Sequence, residues 1–172
     1  MKKITSIIAI VILSIAFSTT ASAQVSASAP TSATIVAPIS IVKDADMSFG
    51  NVAVSSTAGT VVLAPASTRT KTGGVTLPTT ATGTPTAAKF TVKGEGVYTY
   101  AITLPTSAFT LTQSTGTATM TVDAFTSTPS ATGTLTAGAQ TVNVGATLNV
   151  GALQLAGLYQ NSAGFVVTVN YN

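Results

Sequence analysis

Two short motifs in the sequence have the residue types and spacing of serine-enzyme chemistry. Ser40-Ile41-Val42-Lys43 has the S-x-x-K form, a serine nucleophile followed by lysine, and Lys71-Thr72-Gly73 has the K-T-G form that accompanies it in penicillin-recognising enzymes. In those enzymes the serine opens a helix, whereas Ser40 lies in a strand-like pattern. The accompanying S-D-N element is missing from the sequence. The two motifs therefore do not predict an enzyme of this class.

Other catalytic and metal-binding chemistry has little support in the residue types present. The chain has no His and no Cys, so the commonest general base, the commonest metal ligands and the thiolate nucleophile are absent. Asp44 and Asp46 form a D-x-D pair, but calcium needs six to eight oxygen ligands and few carboxylates lie nearby. We predict a solvated turn at this pair and a protein that is not an enzyme and has no metal or cofactor.

The N-terminus has the form of a secretory signal peptide. Lys2 and Lys3 precede an apolar stretch from Ile7 to Phe17, and Ala21-Ser22-Ala23 provides a small-residue cleavage site. We predict a signal peptide over residues 1–23 and a mature protein that begins at Gln24. Because no Cys follows the cleavage site, a cysteine-linked lipid anchor is not expected. The predicted location is the periplasm and then the cell surface or the extracellular medium.

The mature chain has 149 residues, 172 minus 23, which suits one domain with a real hydrophobic core. Its five basic and four acidic side chains give a net charge of +1, too little for the basic patch that nucleic acids require. Only 6% of the whole chain is charged, against about 25% in ordinary soluble domains. A weakly charged surface favours self-association.

Period-two alternation of apolar and polar residues predicts strands along the whole mature domain. Tyr98, Tyr100, Ile102 and Leu104 share one face of a strand, which we predict to be buried. Clusters of Gly and Pro separate the alternating runs, since Gly permits positive φ and Pro fixes φ in turns. The sequence predicts an all-β fold, an immunoglobulin-like two-sheet β-sandwich of seven to nine strands over residues 33–172.

Three local features of this predicted sandwich follow from the sequence. Residues 24–32 are small and polar and predict a flexible leader. The first strand is predicted over Thr34–Val42. A hairpin is predicted from Lys89–Lys93 and Val97–Leu104, because Gly94-Glu95-Gly96 lies between them.

Segments at both ends of the domain carry a resemblance to a known family. They are Ala33–Ile41, Asp46–Val52, Val144–Leu148, Ala156–Tyr159 and Phe165–Tyr171. These segments resemble a family of secreted bacterial domains of unknown function, the one numbered forty-four-oh-two. The closing segments are also similar to the last strands of fimbrial major subunits. The resemblance implies an exported, pilin-like β-sandwich with no assigned activity.

The alternating terminal segment is the candidate assembly site. Phe165, Val167, Val169 and Tyr171 alternate with Val166, Thr168 and Asn170, as in a strand whose apolar side chains fill a groove in a neighbouring subunit. The same pattern also fits the last core strand of a self-contained sandwich, and both interpretations stay open. Strand exchange through the leader is disfavoured by the sequence, since Val25 is the one sizeable apolar side chain in residues 24–32.

The function predicted from these features is structural. We predict a fimbrial (pilus) subunit or related cell-surface component, whose partners are copies of itself, other pilus subunits and a periplasmic chaperone, with no nucleic acid and no lipid anchor. One alternative is a monomeric secreted module that binds a glycan or another surface ligand. Thr117, Thr119 and Thr121 could form an array for a flat ligand such as ice or a glycan, but the sequence has no fixed repeat that would make the array regular, which favours ordinary strand threonines. A second alternative is a small outer-membrane β-barrel.

Overall fold

The computed structural model describes residues 23–79 and 83–172. The predicted signal peptide lies outside the described residues except for Ala23. A folded unit extends over Val36–Asn172, and residues 23–35 before it form neither strand nor helix. No helix long and apolar enough to cross a membrane occurs within the described ranges.

Eleven strands lie within the described ranges. They are β1 (Ser40–Ala45), β2 (Ala53–Leu63), β3 (Arg69–Thr76), β4 (Ala88–Lys93), β5 (Thr99–Thr103), β6 (Phe109–Gln113), β7 (Thr119–Thr128), β8 (Thr132–Thr134), β9 (Ala139–Val150), β10 (Tyr159–Gln160) and β11 (Thr168–Tyr171). They form two sheets, so the prediction of an all-β, two-sheet β-sandwich is confirmed, with more strands than the seven to nine expected.

Strand β9 organises the large sheet because it is twelve residues long and apolar at every second position. One edge of β9 pairs with β7, which continues through β6 to β10. Its other edge pairs first with β4, which carries β1, and then with β2, which carries β3. The inward side chains of β9, which alternate along the strand, are 5% exposed or less: Val142, Val144, Ala146, Leu148 and Val150. The large sheet therefore has one continuous apolar face.

The small sheet, in the order β11, β5, β8, covers one half of that face. Tyr100 and Ile102 of β5 and Val169 of β11 pack on the inward residues of β4 and of the first half of β9. The Tyr100 hydroxyl donates a 2.7 Å hydrogen bond to Oε1 of Gln140. Burial raises the pKa of Tyr100 above its ordinary value, because the phenolate would lose its hydration. The first core cluster is thus an ordinary sandwich core.

The second core cluster lies on the other half of the large sheet. Its buried members come from the large sheet: Val61, Val75, Val122, Ala146, Leu148 and Val150. Among the described residues, none of the small-sheet strands contributes to this cluster. Met47, Phe49, Val52 and Val54 pack against it from the irregular segment and strand start that follow β1. This half of the apolar face therefore lacks the strand cover that the first half has.

The predicted hairpin between Lys89–Lys93 and Val97–Leu104 is wrong. β4 pairs with β1 and β9 in the large sheet, whereas β5 pairs with β11 and β8 in the small sheet. The Gly94-Glu95-Gly96 turn carries the chain from one sheet to the other. Gly94 and Gly96 exchange backbone hydrogen bonds with Gly138 rather than closing a two-strand ladder.

Two further expectations about strand positions are corrected. The first strand begins at Ser40 and not at Thr34, since Pro38 has no N–H to donate to a ladder. On β5 the buried face holds Tyr100 and Ile102, with Leu104 half-buried beyond the strand end. Tyr98 is 48% exposed because it lies in the turn before β5.

Candidate functional site

A groove of about 1160 Å³ lies over the half of the large sheet that the small sheet leaves uncovered. Its floor is formed by inward side chains of β6, β7 and β9, including Phe109, Leu111, Met120, Val122 and Leu148. Residues 43–54 line one side, and residues 154–165 line the other. The groove therefore opens directly onto the second core cluster.

The first wall, residues 43–54, is held by few backbone contacts. Ser48 makes an isolated bridge with Thr86, with N–H to O distances of 2.8 Å in both directions. Nη1 of Arg69 donates to the carbonyl oxygens of Phe49 and Asn51 at 2.6 and 3.0 Å. The Arg69 side chain thus provides hydrogen bonds to a segment that has no strand ladder of its own, and these bonds hold the irregular segment along the groove.

The second wall, residues 154–165, is tied to β6. The side chain of Gln113 donates to the carbonyl of Ala156 at 2.8 Å, and the side chain of Asn161 donates to the carbonyl of Thr110 at 2.9 Å. The two-residue strand β10 adds a short ladder to β6. These contacts hold the wall at the sheet margin and away from the groove floor.

Beyond Asn161 the second wall forms no ladder until β11 begins at Thr168. Within the described ranges, the backbone groups of Phe165, Val166 and Val167 make no hydrogen bond. Buried backbone groups in folded proteins are almost always paired, and an unpaired strand edge is a template for another chain. Of these three residues, Phe165 lines the groove, so the unpaired backbone meets the apolar floor at Phe165.

The groove is nearly uncharged. Among the residues that line it, Lys43 and Asp46 are the charged ones, and they form an ion pair with each other. A neutral, apolar occupant therefore fits its lining better than a charged ligand.

The predicted assembly residues of the terminal segment lie within their own domain. Val167 and Val169 are each 8% exposed, Phe165 and Tyr171 are half-buried, and Val166 between them is 71% exposed. The alternation of the terminal segment therefore separates a buried face from an exposed one. The strand β11 includes only the last part of this segment, Thr168–Tyr171. β11 pairs with β5 on one side and is an edge strand of the small sheet.

Phe165 links the terminal segment to the groove. Its ring lies 4.8 Å from that of Phe125 and 6.2 Å from that of Phe90, measured between centroids. Phe125 packs against both core clusters, and Phe165 itself lines the groove. The aromatic cluster thus forms the boundary between the covered and uncovered halves of the apolar face.

The terminal residue of the predicted set, Tyr171, holds the start of the folded unit. Its hydroxyl donates to the carbonyl of Ala37 at 2.9 Å and accepts from the backbone N–H of Glu95 at 2.6 Å. The Glu95 carboxylate in turn accepts from the N–H of Ala37 at 3.1 Å. We call these three residues the Ala37 clamp. It fixes the point at which the preceding residues leave the domain.

The two serine-enzyme motifs are separated in the fold. Ser40 and Lys43 lie three residues apart on β1, and such side chains point to opposite faces of a strand. The K-T-G residues lie on β3, which pairs with β2, whereas β1 pairs with β4. The S-x-x-K spacing therefore does not bring the serine hydroxyl to the lysine amine.

The D-x-D carboxylates point to local partners. Asp44 accepts a hydrogen bond from the Thr91 hydroxyl at 2.7 Å, and Asp46 pairs with Lys43. No cluster of three or more metal-ligating side chains occurs in the part of the chain that the structure describes.

Sequence reasoning did not find the groove. Apolar residues two positions apart, Met47 with Phe49 and Met120 with Val122, indicate apolar faces in the sequence. The same spacing occurs whether such a face is covered by another sheet or open to solvent. Among the described residues, no strand of the small sheet packs on β6 or on the end of β9. Local periodicity does not predict this lack of cover, because it depends on strands that are distant in the sequence.

Comparison with known proteins places the chain in a family. No curated protein and no solved structure matches it. A family model does match, over residues 39–171, which includes both core clusters, the groove walls and the terminal strand. The chain belongs to the family described as a domain of unknown function, DUF4402.

Proposed function

We propose that this protein is a structural subunit of a bacterial cell-surface assembly, of the fimbrial kind, whose copies associate through the groove. The observation that carries the proposal is an apolar sheet face left without strand cover in an otherwise ordinary sandwich. Contiguous exposed apolar surface on a soluble domain is typical of an interaction site. Met120 and Leu111 on the floor and Phe165 on the wall are all half-buried and accessible from the groove.

The shape of the groove favours an extended peptide as its occupant. Adding a strand to a sheet edge supplies main-chain hydrogen bonds, while alternate side chains fill pockets below. The unpaired backbone of Phe165, which lines the groove, offers the first of these, and the apolar floor offers the second. A periplasmic chaperone, if one acts on this chain, would cover the same face before assembly.

Exposed apolar side chains of the second wall and its flanks support association as well. Leu155 and Leu158 line the groove and are 63 and 62% exposed, and Leu153 and Val166, which flank the wall, are 74 and 71% exposed. Charged residues make up only 6% of the chain, so electrostatic repulsion between copies is weak. We therefore expect these apolar side chains to become buried when copies associate.

The test is negative-stain electron microscopy of purified residues 24–172 after incubation at high concentration. We expect multimers or filaments from the wild-type chain. Leu111→Glu places a charge in the groove floor and should abolish them, whereas Thr110→Glu on the opposite face of β6 should not. A wild-type protein that stays monomeric would overturn the proposal.

A second candidate function, a secreted binding module, has one specific observation in its favour. On the outer face of the large sheet, five polar residues lie in one row across five adjacent strands: Thr72, Thr60, Asn149, Thr121 and Thr110. Strand spacing of about 4.8 Å makes such a row regular. A flat array of this kind suits a glycan surface. Glycan binding by a stable monomer that is lost in Thr121→Val would favour this candidate.

A further inference from the structure

We propose that Met47 and Met120 form a reversible oxidation site in the groove, and that oxidation of their thioethers to sulfoxides stops copies of the chain from associating. This inference rests on the proposed function, because it names a modification that controls the same groove. The modifying agent is a hydroperoxide, of which hydrogen peroxide is the simplest.

The sulfur atoms of the mature chain all belong to residues of the groove. The sequence has three methionines and no cysteine, and Met1 belongs to the predicted signal peptide. The other two, Met47 and Met120, both line the groove. Cys and Met are the side chains whose sulfur is oxidised stepwise in proteins. A sulfur-directed oxidant that acts on the mature chain therefore modifies the groove and no other surface.

The two methionine side chains pack in the domain and still face open space. Met120 lies on β7 opposite Leu111 of β6, and it packs against the second core cluster. Met47 lies in the first wall and packs against both core clusters. Each is half-buried and lines a groove of about 1160 Å³, whereas a water molecule, slightly smaller than a peroxide, takes about 30 Å³. Hydrogen peroxide can therefore enter the groove and reach both thioethers.

The oxidation step needs the hydroperoxide and no other reactant. The thioether sulfur attacks an oxygen of hydrogen peroxide, so that one S–O bond forms, the O–O bond breaks and water leaves. Sulfur loses two electrons and the peroxide gains them. Methionine sulfoxide reductases restore the thioether, while two thiols are oxidised to a disulfide and the oxygen leaves as water. The modification is therefore reversible.

The sulfoxide oxygen is a hydrogen-bond acceptor placed in an apolar lining. The amide nitrogen of Gln154, which also lines the groove, already donates to the Thr119 carbonyl at 3.2 Å and to the Tyr159 hydroxyl at 2.8 Å. The Lys43 amine pairs with Asp46. Water is therefore the donor that a sulfoxide oxygen uses in the open groove.

Oxidation should disfavour the covered groove more than the open one. In the single chain, water hydrates the sulfoxide oxygen, so we expect the fold to be retained. An apolar occupant removes that water, and burial of a polar group without a hydrogen bond is unfavourable. A modification shifts an equilibrium through such a difference between two states. A groove that is already covered also excludes peroxide, so oxidation acts on the chain before assembly.

The test compares oxidised and reduced forms of residues 24–172. Purified monomer is treated with hydrogen peroxide at neutral pH. Peptide mass spectrometry measures oxygen addition at each methionine, circular dichroism monitors the fold, and sedimentation measures multimers. A variant with Met47→Leu and Met120→Leu keeps apolar side chains of similar volume without an oxidisable sulfur. The matched control adds Val97→Met to that double variant, since Val97 is 75% exposed and does not line the groove.

We expect both methionines of the folded wild-type monomer to gain one oxygen each. Association of the oxidised protein should weaken by about tenfold or more, as expected when a polar group is buried without a partner. Reduction by methionine sulfoxide reductases should restore the multimers. The double variant and the Val97→Met control should multimerise equally with and without peroxide.

Each other result overturns a stated part of this account. Methionines of the groove that stay unoxidised while Val97→Met is oxidised would overturn the oxidation site. An oxidised wild-type protein that multimerises as well as the reduced one would overturn the inference and leave the proposed function intact. Loss of the fold on oxidation, or an equal loss of multimers in the Val97→Met control, would overturn the inference as well, because it assigns the effect to the groove of a folded domain. A reduced wild-type protein that forms no multimer would overturn the proposed function, and the inference with it.

Discussion

Removing one oxygen atom from Tyr171 should weaken the Ala37 clamp measurably. Tyr171→Phe keeps the ring, which packs 5.6 Å from that of Tyr98, and deletes the hydroxyl that bonds both Ala37 and Glu95. The carbonyl of Ala37 and the N–H of Glu95 then each lose one hydrogen-bond partner. The bond from the N–H of Ala37 to the Glu95 carboxylate is the member of the clamp that remains.

The size of the effect follows from the two hydrogen bonds. Each contributes about 0.5 to 1.5 kcal/mol net to folding stability, and more when the group left behind is buried. Because Tyr171 is half-buried, water can reach part of the site and replace some of the loss. We expect the free energy of unfolding to fall by about 1 to 2 kcal/mol, which lowers the urea midpoint by about 0.5 to 1 M for a typical slope.

Urea titration followed by circular dichroism measures the change, and hydrogen exchange at the amides of Ala37 and Glu95 locates it. The matched control is Tyr98→Phe, which removes a hydroxyl that makes no hydrogen bond within the described ranges. Equal midpoints for Tyr171→Phe and Tyr98→Phe, with unchanged exchange at Ala37, would refute the clamp as a stabilising contact.

Three further predictions concern the core, the pH dependence and the mature N-terminus. Ile102→Ala should cost about 2 to 5 kcal/mol, since it removes three buried carbons at about 0.8 kcal/mol each and leaves a cavity; Val166→Ala should cost under about 0.5 kcal/mol in the same denaturant titration. Because the folded-state pKa of Tyr100 is raised, its contribution is complete below the unfolded value of about 10 and declines as the pH rises toward the folded value. Tyr100→Phe should flatten this alkaline loss in pH-dependent melting and cost about 1 kcal/mol at neutral pH. Mass spectrometry of the exported protein should give a chain beginning at Gln24 with no acyl mass; an intact Met1 would contradict this.

The all-β fold class was predictable from the sequence, because strands are indicated by the local alternation of apolar and polar residues. Alternation at Tyr100 and Ile102 correctly predicted a buried face, since a strand places alternate side chains on opposite sides whatever its partner is. Tyr98 broke the pattern because it lies in the turn before β5. Periodicity identifies faces within a strand but not where the strand begins.

Strand pairing was less predictable, since it depends on contacts between distant residues. Gly94-Glu95-Gly96 has the composition of a hairpin turn, yet its glycines bond to Gly138 and the flanking strands join different sheets. The signal for this crossover lies in residues that are far away in sequence. A turn motif predicts that the chain reverses direction, but it does not predict that the two strands beside the turn pair with each other.

The groove shows the same limit at the level of function. Period-two alternation in β6 and β7 is consistent with one apolar face holding Phe109, Leu111 and Met120, but it does not show whether strands of the other sheet cover that face. Cover depends on the position of strands that are distant in the sequence.

Hydrogen exchange at Phe165–Val167 tests the central claim, that the groove binds an extended chain. The measurement compares the monomeric and multimeric fractions of residues 24–172 by mass spectrometry. The backbone groups of these residues make no hydrogen bond in the single chain, so their amides should exchange rapidly in the monomer and at least tenfold more slowly in the multimer. Equally rapid exchange in both fractions would contradict the claim, because a strand added to this wall is expected to pair at Phe165, which lines the groove.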